Sequence, residues 1–201
     1  MDWQLDIEAT VEATKRQHAE GCVKIAEDLD RYRAVIAKVR PTLIVECGTF
    51  SGGSALWFAD VADCPVVTFD VKDSTSPDIR EKWAGRVTYV LASSTSSEAR
   101  RLVRMVVGPT DRMMLVLDSD HAAPHVMAEL DAHADLATYI VVEDGVVRWM
   151  GEAEQRLYVG NPLDAIEAWF PDHHEWAEDH DVAQMSSVSM HPRGWWMRGT
   201  Q

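Results

Sequence analysis

The feature that constrains this chain most is an alternation of two patterns. Strand-length apolar runs, at Thr42–Glu46, Val66–Asp70, Arg86–Leu91, Met113–Asp118 and Tyr139–Glu143, are separated by stretches of helical periodicity. Short runs rich in Val, Ile and Leu suit strands buried on both faces, and a helix between successive runs is the pattern of parallel strands joined by crossovers. An α/β fold is expected, with a central, mostly parallel sheet and helices on both faces. Residues 1–39 read as an N-terminal helical segment with a break near Gly21, and Pro41 stops it before the first strand. Further helices are expected at Ser54–Val61, from a capping box at Thr95-x-x-Glu98 to Val107, from Pro124 to Leu136 and from Pro162 to Phe170. Ser186–Met190 and Trp195–Arg198 carry weaker strand signals. No repeat or low-complexity linker divides the 201 residues, so a single domain is expected.

The formal net charge of −14 opposes nucleic acid as a partner, because phosphate binding takes clustered Lys and Arg, and the basic residues here are scattered. The apolar runs are too short to cross a bilayer and end in carboxylates. The opening Met1-Asp2-Trp3-Gln4-Leu5-Asp6 is acidic and has neither the basic nor the apolar region of a secretory signal. A cytoplasmic protein with no membrane partner is expected. Cys22, Cys47 and Cys64 lack CxxC spacing and fit free thiols in a reducing compartment.

In open parallel sheets, ligands sit beyond the carboxyl ends of the strands, where strand order reverses. The first strand here runs into Glu46-Cys47-Gly48-Thr49-Phe50-Ser51-Gly52-Gly53-Ser54. Glycines permit a tight turn and a close ligand, and the free N–H groups of the next helix attract negative charge. The spacing Gly-x-x-x-Gly-Gly departs from the GxGxxG dinucleotide fingerprint, and Glu46 would repel a pyrophosphate. The same carboxylate suits an ammonium or sulfonium group, as S-adenosylmethionine carries. Asp70 closes the second strand, where an acid about 20 residues beyond the turn commonly binds ribose hydroxyls. Together these residues favour S-adenosylmethionine over NAD.

The fourth strand ends Leu117-Asp118-Ser119-Asp120-His121 and the fifth Val142-Glu143-Asp144-Gly145. Neighbouring strands lie about 4.8 Å apart, so Asp118, Glu143 and Asp144 are expected to meet. Such a cluster repels itself unless a carboxyl takes up a proton or a cation joins it, and all-oxygen ligands point to Mg²⁺. The alternative is that Asp118 touches only the cofactor while Glu143 and Asp144 cap the following segment. His121 would face the same pocket, either taking a proton from an acceptor hydroxyl or capping the next helix. His125, Glu129 and His133 share a helix face, read as a polar outer face rather than a metal site because Val126, Leu130 and Ala134 run beside it. His173, His174 and His180 fall in the acidic stretch Asp172–Asp181, read as a solvated loop. Trp169, Trp176, Trp195 and Trp196 read as packing residues, and Trp149 as a candidate wall of an acceptor pocket.

The combination of Glu46-Cys-Gly-Thr-Phe-Ser-Gly-Gly-Ser54, Leu117-Asp-Ser-Asp-His121 with His125-Val126 and Glu129-Leu130, and Val142-Glu-Asp-Gly145 resembles the cephalosporin hydroxylase family. That family is related to the rhamnosyl and macrolide-sugar O-methyltransferases. The similarity runs from about Arg31 to the end, through Gly160-Asn-Pro-Leu-x-Ala-Ile-x-x-Trp169 and Pro192-x-Gly-Trp-Trp-x-Arg198. It implies a Rossmann-like class I methyltransferase fold with S-adenosylmethionine and Mg²⁺ as cofactors. On the resemblance, Asp118, Glu143 and Asp144 hold the metal, and Asp118 and His121 are catalytic, His121 as the base. The adenosyl cofactor lies against Glu46, Gly48, Thr49, Ser51, Gly52, Ser54 and Asp70, with Ser93 and Ser94 near the adenine. The activity expected is Mg²⁺-dependent O-methylation of a small-molecule hydroxyl, on a sugar of a natural product or glycolipid, by a protein that could be a homo-oligomer. A catechol-like phenol as acceptor, or a non-catalytic adenosyl-binding accessory role, are the alternatives.

Overall fold

In a computed structural model that describes residues 4–16, 19–152 and 159–199, the apolar runs pair into one seven-stranded sheet. Met1–Trp3 and part of the loop expected after Gly145 lie outside the described residues. β1 (Leu43–Cys47), β2 (Val66–Asp70), β3 (Val87–Leu91), β4 (Met113–Leu117) and β5 (Ala137–Val142) are parallel. β6 (Trp176–Glu178) and β7 (Trp195–Arg198) complete the order β3-β2-β1-β4-β5-β7-β6, with β7 antiparallel to both its neighbours. Strand order reverses between β1 and β4, which opens a crevice at their carboxyl ends.

The α-helices lying wholly among the described residues are α1 (Ile7–Ala13), α2 (Ala26–Val39), α3 (Gly53–Ala62), α4 (Pro77–Trp83), α5 (Ser97–Val106), α6 (Ala123–His133), α7 (Pro162–Trp169) and α8 (His180–Ala183). Successive side chains of a strand point to opposite faces, so β1 sends Val45 and Cys47 one way and Ile44 the other. The first face packs against α5, α6 and α7 through Val103, Leu130 and Ile166. The second packs against α2, α3 and α4 through Tyr32, Phe58 and Trp83. With both faces covered, β1 and β4 are buried at every residue, as their unbroken apolar runs require. Trp169, Trp176, Trp195 and Trp196 are all buried in this packing.

Three local expectations are corrected. α5 is capped by Ser96, whose Oγ accepts from Ala99 N at 3.1 Å, because the Thr95 hydroxyl is taken by Ser93 at 2.9 Å. The stretch Asp172–Asp181 is not all loop: Trp176 is buried beneath Arg198 and starts the edge strand β6, preceded by the exposed Glu175 and followed by the buried Asp179. Ser186–Met190 is not a strand, since side chains of α2 take its backbone groups instead of a ladder. Arg31 donates to the carbonyls of Ser186 (2.5 Å) and Val188 (2.9 Å), and Asp28 accepts from Met190 N at 2.8 Å.

Candidate active site

The ends of β1, β4 and β5 are in register, and their ladder continues one step beyond the strands. Asp118 N donates to Cys47 O at 2.8 Å and Glu143 N to Leu117 O at 3.0 Å, which sets Asp118 and Glu143 side by side at the carboxyl edge. Gly48 leaves β1 at φ +98°, and a Cβ there would lie 1.8 Å from the Asp118 carbonyl oxygen. Only glycine lets the two strand exits approach so closely.

Two adjoining cavities open at this edge. One, of about 240 Å³, is walled by Lys24, Thr49, Ser51, Ser54, His121 and Asp144. The other, of about 340 Å³, is walled by Phe69, Asp70, Ser93, Ser94, Asp120 and His125. Gly48, Phe50, Asp118 and Ser119 border both. Asp70 also shapes the glycine turn, since its Oδ2 accepts from Thr49 N (3.1 Å) and Phe50 N (2.8 Å). Glu46 and Gly52 stand back from the cavity walls. Gly52 caps α3 at φ +83°, where a Cβ would meet the Trp83 ring at 2.6 Å. Glu46 is buried beneath the turn, its Oε2 accepting from Thr68 Oγ1 at 2.6 Å. Burial pushes its carboxyl up to about 7, against the pull of the Ser54 and Thr68 hydroxyls and of Lys24.

Asp118, Glu143 and Asp144 come together, but not around one point. Ligand atoms of Asp118, His121 and Asp144 lie within 4.8 Å of one another, with His121 Nε2 3.6 Å from Asp118 Oδ1 and 3.4 Å from Asp144 Oδ2. Glu143 turns inward, where both its oxygens lie 2.6 Å from Lys24 Nζ and the Tyr32 hydroxyl donates to Oε1. It forms a second convergent group with Asp144 and His191. Asp144 reaches its place through a left-handed φ of 55°, held by its N–H donating to His191 Nδ1 at 3.0 Å.

Burial alone would push His121 down, but the carboxylates of Asp144, Asp118 and Glu143 outweigh it and raise it to about 9. Burial also works against the charged forms of Lys24 and Asp118. Their mutual attraction wins, holding Lys24 well above and Asp118 well below their ordinary values. Burial pushes Asp144 up against the opposing pull of His121.

Lys24, Tyr32 and His191 escaped the sequence reading, and Glu129 was placed on a polar outer face. Lys24 lies just past the break at Gly21, where no periodicity marks it. The row His125, Glu129, His133 is no outer face: Glu129 and His133 are fully buried. Glu129 Oε1 accepts from the Ser94 hydroxyl and from Ser119 Oγ at 2.6 Å, with His125 Nε2 at 3.3 Å, while His133 Nε2 pairs with Ser94 O at 2.8 Å. α6 thereby braces the loop that walls the second cavity. Trp149 packs against the first face of the sheet and borders neither cavity.

The family model for rhamnosyl O-methyltransferase/CmcI matches residues 11–199. The chain belongs to that family. The resemblance read from the motifs is thus borne out, and the match begins well before Arg31. A rhamnosyl O-methyltransferase from Mycobacterium tuberculosis (strain ATCC 25618 / H37Rv) is 31% identical over 157 residues, 74% of this chain and 63% of the relative. One from Mycobacterium leprae (strain TN) is 30% identical over 179 residues, 81% of this chain and 73% of the relative. The matched region therefore spans less than two thirds of the M. tuberculosis relative's length. Apo CmcI superimposes with a TM-score of 0.65 at 21% identity, over 100% of this chain and 86% of CmcI. CmcI with Mg and SAM gives 0.63 at 19% identity, over 99% and 86%. The Rossmann-like fold that the rhamnosyl O-methyltransferase/CmcI resemblance implied is the fold observed.

Proposed function

We propose that this family member is an S-adenosylmethionine-dependent O-methyltransferase whose acceptor is a hydroxyl of a small molecule, on a sugar carried by a natural product or glycolipid. The observation that carries the reading is the pair of adjoining cavities at the strand-order reversal, with Gly48 and Asp118 bordering both. Family membership and the named activity of the mycobacterial relatives support it. In this reading Asp70, Ser93 and Ser94 bind the adenosine half of the cofactor in the larger cavity. Thr49, Ser51 and Ser54 bind its amino-acid half in the smaller, above the Glu46 carboxyl, while Gly52 keeps the turn in shape.

The donor set suits a hard cation: Asp118 and Asp144 converge and would hold Mg²⁺, with Glu143 behind them. When bound, S-adenosylmethionine supplies a methyl group on a sulfonium, and the cation supplies charge that acidifies an acceptor hydroxyl. His121, on the wall of the smaller cavity, would accept the hydroxyl proton at Nε2 once a cation held by Asp118 and Asp144 offsets the carboxylates that otherwise keep it protonated up to about 9. Residues 1–201 act as one domain in which the segment 1–39 contributes Lys24 and Tyr32 to the site. Among the described residues no helix is long and apolar enough to cross a membrane, and with a charge of −14 a cytoplasmic protein without a nucleic-acid partner is the reading that fits.

Methyl-labelled S-adenosylmethionine offered with rhamnosides, other glycosides and catechols tests the proposal. Label is expected on a glycoside hydroxyl. Label on catechols alone would replace the sugar, and cofactor binding without product from any acceptor would remove catalysis from the reading.

A further inference from the structure

The place between Asp118 and Glu143 is held by a side chain of this protein. Lys24 Nζ lies 3.0 Å from Asp118 Oδ2 and 2.6 Å from each oxygen of Glu143, with the Lys24 and Glu143 side chains only 1% and 2% exposed. The loop that delivers it has little freedom. Glu20 and Gly21 are both left-handed, at φ 53° and 81°, and Ala19 N closes the loop onto Lys24 O at 3.0 Å. Gly53, the first residue of α3, lets the loop press on the helix, since a Cβ there would lie 2.2 Å from the Gly21 carbonyl oxygen. Glu20 is tied in turn to Arg33 and, at 2.8 Å, to Trp57 Nε1. Withdrawing Lys24 would unpack this loop and leave a buried carboxylate without its counter-charge.

We propose that Lys24 is the resident counter-cation of the carboxylate cluster and that it competes with a divalent metal ion for Asp118 and Glu143. One oxygen of Asp118 and both of Glu143 already bind the ammonium. A dication on the remaining oxygens would sit a few ångströms from a like charge in a poorly solvated site, where repulsion is strong. A metal ion is therefore weakly held while Lys24 stays in place. The inference rests on the cluster being a cation site, as proposed above.

The test is Mn²⁺ binding, read from the electron paramagnetic resonance of free Mn²⁺, on wild type, Lys24→Met, Lys24→Arg and Asp118→Asn. Lys24→Met is expected to bind Mn²⁺ at least about tenfold more tightly than wild type, a modest outcome for removing a like charge at this range. Lys24→Arg keeps the charge and should match wild type, and Asp118→Asn should bind least. If Lys24→Met does not fold, Lys24→Gln, which keeps an N–H donor toward Glu143, takes its place. Equal affinity in wild type and the neutral variant, with loss in Asp118→Asn, overturns the competition while leaving the metal site intact. Failure of the neutral variant to bind Mn²⁺ at all overturns both.

Discussion

Glu46 and Asp118 lie two residues apart in register on adjacent strands, yet their surroundings drive them in opposite directions. Asp118 has the Lys24 ammonium at 3.0 Å, whereas Glu46 is buried mainly among hydroxyls and titrates near 7 instead of 4.5. Between those two values the folded state holds the Glu46 proton more tightly than the unfolded chain does. Its contribution to stability is therefore full below 4.5 and is lost as pH rises through 7, by roughly 3 kcal/mol in all. Glu46→Gln should gain on wild type by up to that amount at pH 8 and show little advantage at pH 4.5, measured by urea unfolding; parallel pH profiles would contradict the assignment. His121→Ala should lower kcat by about 10²–10⁴ while leaving S-adenosylhomocysteine affinity unchanged, as loss of a proton acceptor requires. Asp118→Ala should abolish turnover and also weaken Mn²⁺ binding, which calorimetry separates from the His121→Ala result.

Elements position the site through two contacts that tolerate little change. Gly48→Ala would drive a Cβ into the Asp118 carbonyl, 1.8 Å away, and is expected to cost about 1–3 kcal/mol or more and to spoil both cavities. A drop in Tm together with lost S-adenosylhomocysteine binding would register this. Glu129→Ala strips the acceptor from the buried Ser94 hydroxyl and the half-buried Ser119 hydroxyl, at about 1–3 kcal/mol. It should also weaken S-adenosylhomocysteine binding although Glu129 borders neither cavity; unchanged affinity would show that α6 does not shape the pocket. β1, β2, β4 and β5 were legible because burial on both faces demands unbroken apolar runs, and the turn because Gly48 and Gly52 mark the backbone's left-handed steps. α4 was not legible: only Trp83 of it is buried, so no apolar stripe announces the helix. Glu129 misled because a buried carboxylate looks, in sequence, like an exposed one, and its partners Ser94 and Ser119 come from other elements. Lys24 was invisible for the same reason: it meets Asp118 and Glu143, 94 and 119 residues away.

At the scale of the whole molecule, α2 and the segment Ser186–Met190 are locked by a buried ion pair. Arg31 and Asp28 are fully buried, 2.9 Å apart, and both bind that segment's backbone. Arg31→Met leaves Asp28 uncompensated and should cost about 3–5 kcal/mol in denaturant unfolding. A smaller loss would mean that the segment is held by its apolar contacts instead. The segment leads to β7, which enters the sheet between β5 and β6 and pairs with both. During synthesis, then, β5 emerges with an unpaired edge and buried-type residues such as Ile140 and Val141, and waits until the ribosome has passed Arg198. A nascent chain in that interval carries the kind of open apolar edge that chaperones hold and that other chains can capture.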